Sequence, residues 1–199
     1  MFRKQNEVIK QLTDKQIVQN LYFTQLILLI ISSVLAILLF SNVEEFIELW
    51  IITDARIIGY GIAVALLVIV VDTIITTLVP SHLVDDGGIN KKLFEKRTIP
   101  HIIILTVLIA ISEELLFRGV LQTQLGIWVA SLVFAILHFR YLSKWILFIM
   151  VILISFLLGI VYEITESLYT TIIAHFLIDL VFAIQIRLNY IKGVNKENE

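Results

Sequence analysis

Long apolar runs separated by short polar segments dominate the chain. A polar, basic stretch fills residues 1–20, and the first apolar run extends from Leu21 to Phe40. Others run from Ile57 to Val79, stopping at Pro80, from Ile99 to Leu121, from Trp145 to Tyr162 and from Leu168 to Leu188. Each approaches the roughly 20 residues that a helix needs to cross a bilayer. A further run, Leu125 to Phe139, is short for a straight crossing. Between the first two runs, Ser41 to Arg56 sets Glu44, Glu45, Glu48 and Asp54 beside Phe46, Leu49 and Trp50, the mixture expected of an interfacial helix or a short external loop. Residues 81–98 form the longest loop, with the turn signal Asp85-Asp86-Gly87-Gly88. Asn189 to Glu199 is a polar tail, and no repeat or low-complexity segment is present. The pattern predicts an all-α protein, a single integral membrane domain over 1–199 built as a polytopic transmembrane helix bundle of about six spans.

Composition points the same way. Hydrophobic residues make up 59% and charged residues 16%, against about 45–50% and about 25% in soluble domains. There is no cysteine, which removes disulfides, thiolate nucleophiles and Cys-ligated metals together. No cleavable signal peptide is expected, because the first apolar run starts late and is too long. The net charge of -2 says little as a total, but its distribution is informative. With the N-terminus inside, thirteen of the fifteen basic residues fall on inner segments: Arg3, Lys4, Lys10 and Lys15, then Lys91, Lys92, Lys96 and Arg97, then Arg140 and Lys144, then Arg187, Lys192 and Lys196. Only Arg56 lies outside, and Arg118 sits within a span. This positive-inside bias predicts that both termini are cytoplasmic in a multi-pass cell-membrane protein. The basic loops are read as topology signals and lipid headgroup contacts, and Trp50, Trp128 and Trp145 as interfacial anchors. The expected partners are the bilayer and a membrane-associated peptide or protein, with no nucleic acid.

Ionisable residues inside apolar runs are costly and usually face a bundle interior or a wet cavity. Here they form clusters. Glu114 and Arg118 are four apart, share a helix face and can pair, whereas Glu113 points about 100° away from Glu114. Phe134 and His138 share a face, as do His175 and Asp179. A buried carboxylate with a raised pKa suits a general base, and a neutral histidine can share the proton. Water held between Glu113 and His138 would then attack a carbonyl, with His175, backed by Asp179, at the developing oxyanion. The chemistry suggested is peptide-bond hydrolysis in the membrane. Glu113, His138 and His175 would also make a zinc ligand set with an open position, although no HExxH spacing strengthens it. Asp72, inside the second run, reads as a polar bundle contact, and His82 and His101 as solvated residues at span edges.

Ser112-Glu113-Glu114-Leu115-Leu116-Phe117-Arg118-Gly119 resembles the EExxxR motif of the CPBP family, intramembrane endopeptidases of the prenyl-protein (CAAX) and bacteriocin-processing (Abi) type. Phe134-Ala135-Ile136-Leu137-His138 is similar to its FxxxH motif, and His175-Phe176-Leu177-Ile178-Asp179 to its HxxxN or HxxxD motif. The three motifs stand in order within a core of about 99–188. The resemblance implies that Glu113 and His138 activate water, that His175 and Asp179 occupy the oxyanion-stabilising positions, and that Glu114, Arg118 and Phe134 support the site. Asp179 departs from the prenyl-protease branch, which has Asn there. An ionised Asp cannot donate to an oxyanion, so it must be protonated or orient His175. Some members of the family are described as metalloproteases and others as metal-independent glutamate proteases, so zinc stays open. A catalytically idle scaffold or bacteriocin-immunity regulator of the same fold is the rival reading. A proton-coupled transporter is disfavoured by the lack of two similar halves.

If the motifs form one site, Glu113, His138, His175 and Asp179 should meet around one polar cavity inside the bundle. Depth argues against this for straight helices. At about 1.5 Å per residue, His138 falls several Å closer to the cytoplasm than Glu113, unless the fourth helix is tilted or broken.

Overall fold

In a computed structural model of the chain, the described residues are 11–50, 52, 54–142 and 144–197. Arg3, Lys4 and Lys10 of the basic N-terminal stretch lie outside them, as do the side chains of Arg140 and Lys196. Every regular element among the described residues is helical. In order they are α1 (Asp14–Leu39), α2 (Val43–Glu48), α3 (Arg56–Leu78), α4 (Ser81–Val84), α5 (Ile89–Phe94), α6 (Ile99–Glu114), a π-helical segment (Leu115–Gln122), α7 (Thr123–Leu137), a 3₁₀ turn (Phe139–Tyr141), α8 (Trp145–Thr165) and α9 (Leu168–Glu197).

Five stretches are long and apolar enough to cross a membrane: Asp14–Leu39, Arg56–Leu78, Ile99–Leu137, Trp145–Thr165 and Leu168–Asn195. The third, of 39 residues, would measure about 58 Å if straight, nearly twice the hydrocarbon thickness. It is broken at Gly126, whose φ of 84° and ψ of 165° lie in a region open essentially to glycine alone. The ring of Phe117, before the break, lies 4.8 Å edge-on from that of Phe134, after it. A straight helix would hold the two about 25 Å apart, so the chain doubles back at Gly126. The two limbs are the third and fourth expected spans, which is how five apolar stretches accommodate about six spans. Half of the apolar window of this broken helix is buried, against 11–28% in the other four, so it forms the centre of the bundle.

Local signals account for the ends. Thr13 and Gln16 form a reciprocal capping box, so α1 starts at Asp14, ahead of the apolar run. The acidic stretch folds into the short α2, capped by Asn42 accepting from the Glu45 N–H at 2.9 Å. The long loop holds α4 and α5, the latter led by Asp86, which accepts from the backbone N–H groups of Gly88 and Asn90. The expected polar tail is instead the C-terminal part of α9, which continues the apolar helix even through the poor helix formers Asn189, Gly193 and Asn195. His101 is not merely solvated: its Nε2 lies 3.1 Å from the Tyr22 hydroxyl on α1.

Packing is close where side chains vanish. A Cβ on Gly61 of α3 would come within 2.9 Å of the Thr170 carbonyl oxygen on α9, and one on Gly159 of α8 within 2.8 Å of Ile127. Such contacts are the usual basis of helix association in lipid. The basic segments gather at one end of the bundle. Lys92 donates to the Leu12 carbonyl, Lys96 to Asp14, Lys144 to the His82 carbonyl and Arg187 to the Glu95 carbonyl. The Asp14 carboxylate, accepting that hydrogen bond, pushes the Lys96 ammonium above its ordinary range.

Gly126→Ala should destabilise the protein by about 1–3 kcal/mol through backbone strain alone, since nothing lies within 4 Å of the added methyl group. Gly59→Ala, in α3 and equally uncrowded, should be neutral or stabilising. Thermal unfolding of both variants in detergent checks the contrast.

Candidate active site

The most buried charges in the molecule lie where the motif helix changes pitch. Glu114 closes α6, and the following eight residues, Leu115–Gln122, form the π-helical segment. Such wide turns are rare and cluster at functional sites. Here the freed Arg118 carbonyl accepts from the Thr123 hydroxyl at 3.0 Å, and that hydroxyl meets the Tyr162 OH at 2.7 Å. The side chains of Glu114 and Arg118 are both 0% exposed, with Arg118 Nε 3.3 Å from Glu114 Oε2. Arg118 Nη2 donates to Ser155 Oγ of α8 at 3.2 Å, and the guanidinium lies over the Phe134 ring at 5.7 Å.

His175 completes this centre from α9. Its Nδ1 donates to the other Glu114 oxygen at 2.8 Å. Its Nε2 lies 3.7 Å from Asp179 Oδ2, beyond hydrogen-bond length. Glu114 thus binds the motif helix to α8 through Arg118 and to α9 through His175. Sequence reasoning pairs Glu114 with Arg118 but misses the bond to His175. Both residues stood out in the sequence, yet nothing in it states which faces of two distant helices meet.

Glu113 points elsewhere. It lines a cavity of about 1020 Å³ together with His138, His175 and Asp179. The four candidate residues therefore line one space, as a small part of its wall. The expectation of a polar cavity needs correction, because Leu28, Leu116, Val133, Val151 and Phe182 make most of its wall apolar. A few polar groups in an apolar wall are usual for a binding pocket. Asp72 reaches the same cavity from α3.

The break at Gly126 removes the depth problem. Phe117 and Phe134 are level across the two antiparallel limbs. Glu113 lies four residues before Phe117 and His138 four residues after Phe134, so each lies about 6 Å from that level in the same direction. His138 caps α7, and its Nδ1 donates to the Phe134 carbonyl at 2.9 Å. A carbonyl only accepts, which requires a hydrogen on Nδ1; in the neutral ring the lone pair then lies on Nε2. The imidazole stacks on the Phe134 ring at 4.3 Å, so Phe134 orients His138 while also facing Arg118.

The residues do not fit a metal centre as arranged. Among the described residues no three of His, Asp and Glu stand close enough together to hold an ion.

One further polar group belongs to the site. Gln25 of α1 is only 4% exposed, and its Oε1 meets the hydroxyl of Ser112, the residue before Glu113. Gln25 lines the same cavity. Its signal in the sequence is a carboxamide inside the first apolar run.

Residues 95–181, which contain all three motifs, match the family described as type II CAAX prenyl endopeptidase Rce1-like. The chain is 56% identical over 169 residues to the uncharacterized protein YpbD of Bacillus subtilis (strain 168), covering 85% of this chain and 89% of that one. The chain belongs to the Rce1-like family. No solved structure matches it. Within this Rce1-like chain the matched region begins at the basic loop before α6 and ends two residues beyond Asp179.

Arg118→Met leaves the Glu114 carboxylate buried without its cation and should cost about 3–5 kcal/mol. Adding Glu114→Gln should restore part of that loss, since the stranded charge is then gone. The melting temperatures of the two single variants and the double variant test this coupling.

Proposed function

We propose that the protein is an intramembrane endopeptidase that hydrolyses a peptide bond in a membrane-associated protein or peptide. The observation that carries this reading is that Glu113, His138, His175 and Asp179 all line one largely apolar cavity. Membership of the Rce1-like family supports the same class of reaction.

In this reading Glu113 and the lone pair of His138 Nε2 accept hydrogen bonds from one water molecule and polarise it. The water oxygen attacks the scissile carbonyl carbon while Glu113 takes its proton. The C–N bond then breaks, and the proton passes from Glu113 to the leaving amine. His175, anchored through Nδ1 to Glu114, turns Nε2 toward the oxyanion side. Asp179, one turn further along α9 and 3.7 Å from that nitrogen, orients the imidazole. Glu114 and Arg118 hold the frame. No step uses a metal. The basic end of the bundle is cytoplasmic and the protein resides in the cell membrane, by the positive-inside rule.

The test uses purified protein in lipid nanodiscs and quenched-fluorescent peptides, farnesylated CAAX-type and unprenylated. Glu113→Gln keeps the shape and removes the base, so cleavage should fall about a hundredfold to ten-thousandfold while the melting temperature holds. Strong chelators should leave the rate unchanged. Inactivation by chelator with recovery on adding zinc would recast Glu113, His138 and His175 as metal ligands. Full biological function of Glu113→Gln in cells would favour the idle scaffold.

A further inference from the structure

The mechanism above is short of one component. A tetrahedral oxyanion needs N–H or O–H donors aimed at it. Among the candidate groups, the ionised carboxylates of Glu113 and Asp179 only accept. His138 spends its Nδ1 hydrogen on the Phe134 carbonyl, and its Nε2 is needed as an acceptor. His175 spends its Nδ1 hydrogen on Glu114, so Nε2 is the one ring nitrogen it can offer the oxyanion. A neutral donor beside Glu113 would complete the set.

Gln25 has the chemistry and the place. Helix α1 is mostly lipid-facing, with only Ile17, Val18, Gln25 and Ser32 buried along its length. A carboxamide 96% removed from solvent inside a membrane helix is expensive unless it is bonded. One bond joins it to the Ser112 hydroxyl, which also faces the Leu108 carbonyl at 2.6 Å. A hydroxyl carries one hydrogen. If it goes to Gln25 Oε1, both N–H groups of Nε2 remain for other partners. If it goes to Leu108, Nε2 donates one N–H to Ser112 and keeps the other. In either orientation an amide N–H remains, on a residue that lines the same cavity as Glu113, His138 and His175.

We infer that Gln25 is a catalytic residue of this site: its Nε2 donates a hydrogen bond to the scissile carbonyl oxygen and to the oxyanion formed from it, and Ser112 fixes the carboxamide for that purpose. The inference rests on the protease reading. It also gives α1, which lies outside the family-matched region, a part in the chemistry.

The test compares Gln25→Leu, Gln25→Glu and Ser112→Ala in nanodiscs, on whichever peptide of the farnesylated and unprenylated panel the unaltered chain cleaves. Loss of one oxyanion donor typically lowers kcat about 10²–10³-fold. Gln25→Leu should show a loss of that size in kcat with little change in KM. Gln25→Glu still accepts from Ser112 but cannot donate when ionised, so it should lose kcat similarly while keeping the melting temperature of the unaltered chain. Ser112→Ala removes the bond between helices and leaves the amide less well held, so it should lose kcat by clearly less than Gln25→Leu. If Gln25 merely docks α1, Ser112→Ala will match Gln25→Leu and Gln25→Glu will stay active, which overturns the inference and leaves the protease reading standing. If the unaltered chain cleaves no peptide of the panel, the protease reading falls and this inference with it.

Discussion

A carboxylate sealed inside an apolar helix bundle must be surrounded by donors or it will not stay ionised or not stay buried, and Glu114 is such a group. Its two oxygens are taken separately, one facing Arg118 and the other the Nδ1–H of His175. Each partner belongs to a different stretch of chain. Arg118 reaches out again to Ser155 on α8 and lies over Phe134 on α7. Three helical stretches, α7, α8 and α9, are thus fixed against the motif helix by one side chain and its contacts. Replacing such an ion pair by apolar residues can be neutral, whereas removing one partner is severe. The arrangement is therefore better understood as setting helix register than as adding net stability.

That register separates the tasks of two adjacent glutamates. Glu114 faces the protein interior and is wholly buried, while Glu113, rotated by about 100° on the helix, faces the cavity. The frame carboxylate is kept out of the cavity, and the other is held at a defined position on its wall by its neighbour's bonds. Ser112 extends the same logic to α1 through Gln25. Three consecutive residues of one helix therefore tie down α1, line the cavity, and bind α8 and α9.

The doubling back at Gly126 is the second constraint. It places two limbs of one apolar stretch side by side and stacks Phe117 against Phe134. His138 is thereby raised to the level of Glu113. The π-helical pitch after Glu114 and the glycine at the turn are local departures from the ideal helix. Both occur beside the residues proposed to act, where strained or irregular backbone is commonly retained.

Hydropathy and charge were enough to establish an all-helical membrane protein, because lipid leaves the backbone no other way to satisfy its hydrogen bonds over such lengths. Spacing within single helices was equally legible: Glu114 with Arg118, Phe134 with His138, and His175 with Asp179 each follow from one turn of helix. The motifs then singled out the residues that line the cavity. Contacts between helices were not legible. The Glu114–His175 bond, the meeting of Gln25 with Ser112 and the level of His138 depend on how distant faces are rotated and how far each helix slides. The separation of the third and fourth runs was legible, but it falls at Gly126 and not at residues 122–124, because a glycine inside an apolar run reads as helix until its neighbours force it to turn. A run of apolar residues specifies that a helix is buried in lipid or protein but is nearly indifferent to which. Close approach of small residues and the pairing of a few buried polar groups break that degeneracy, and they act only once the bundle is assembled.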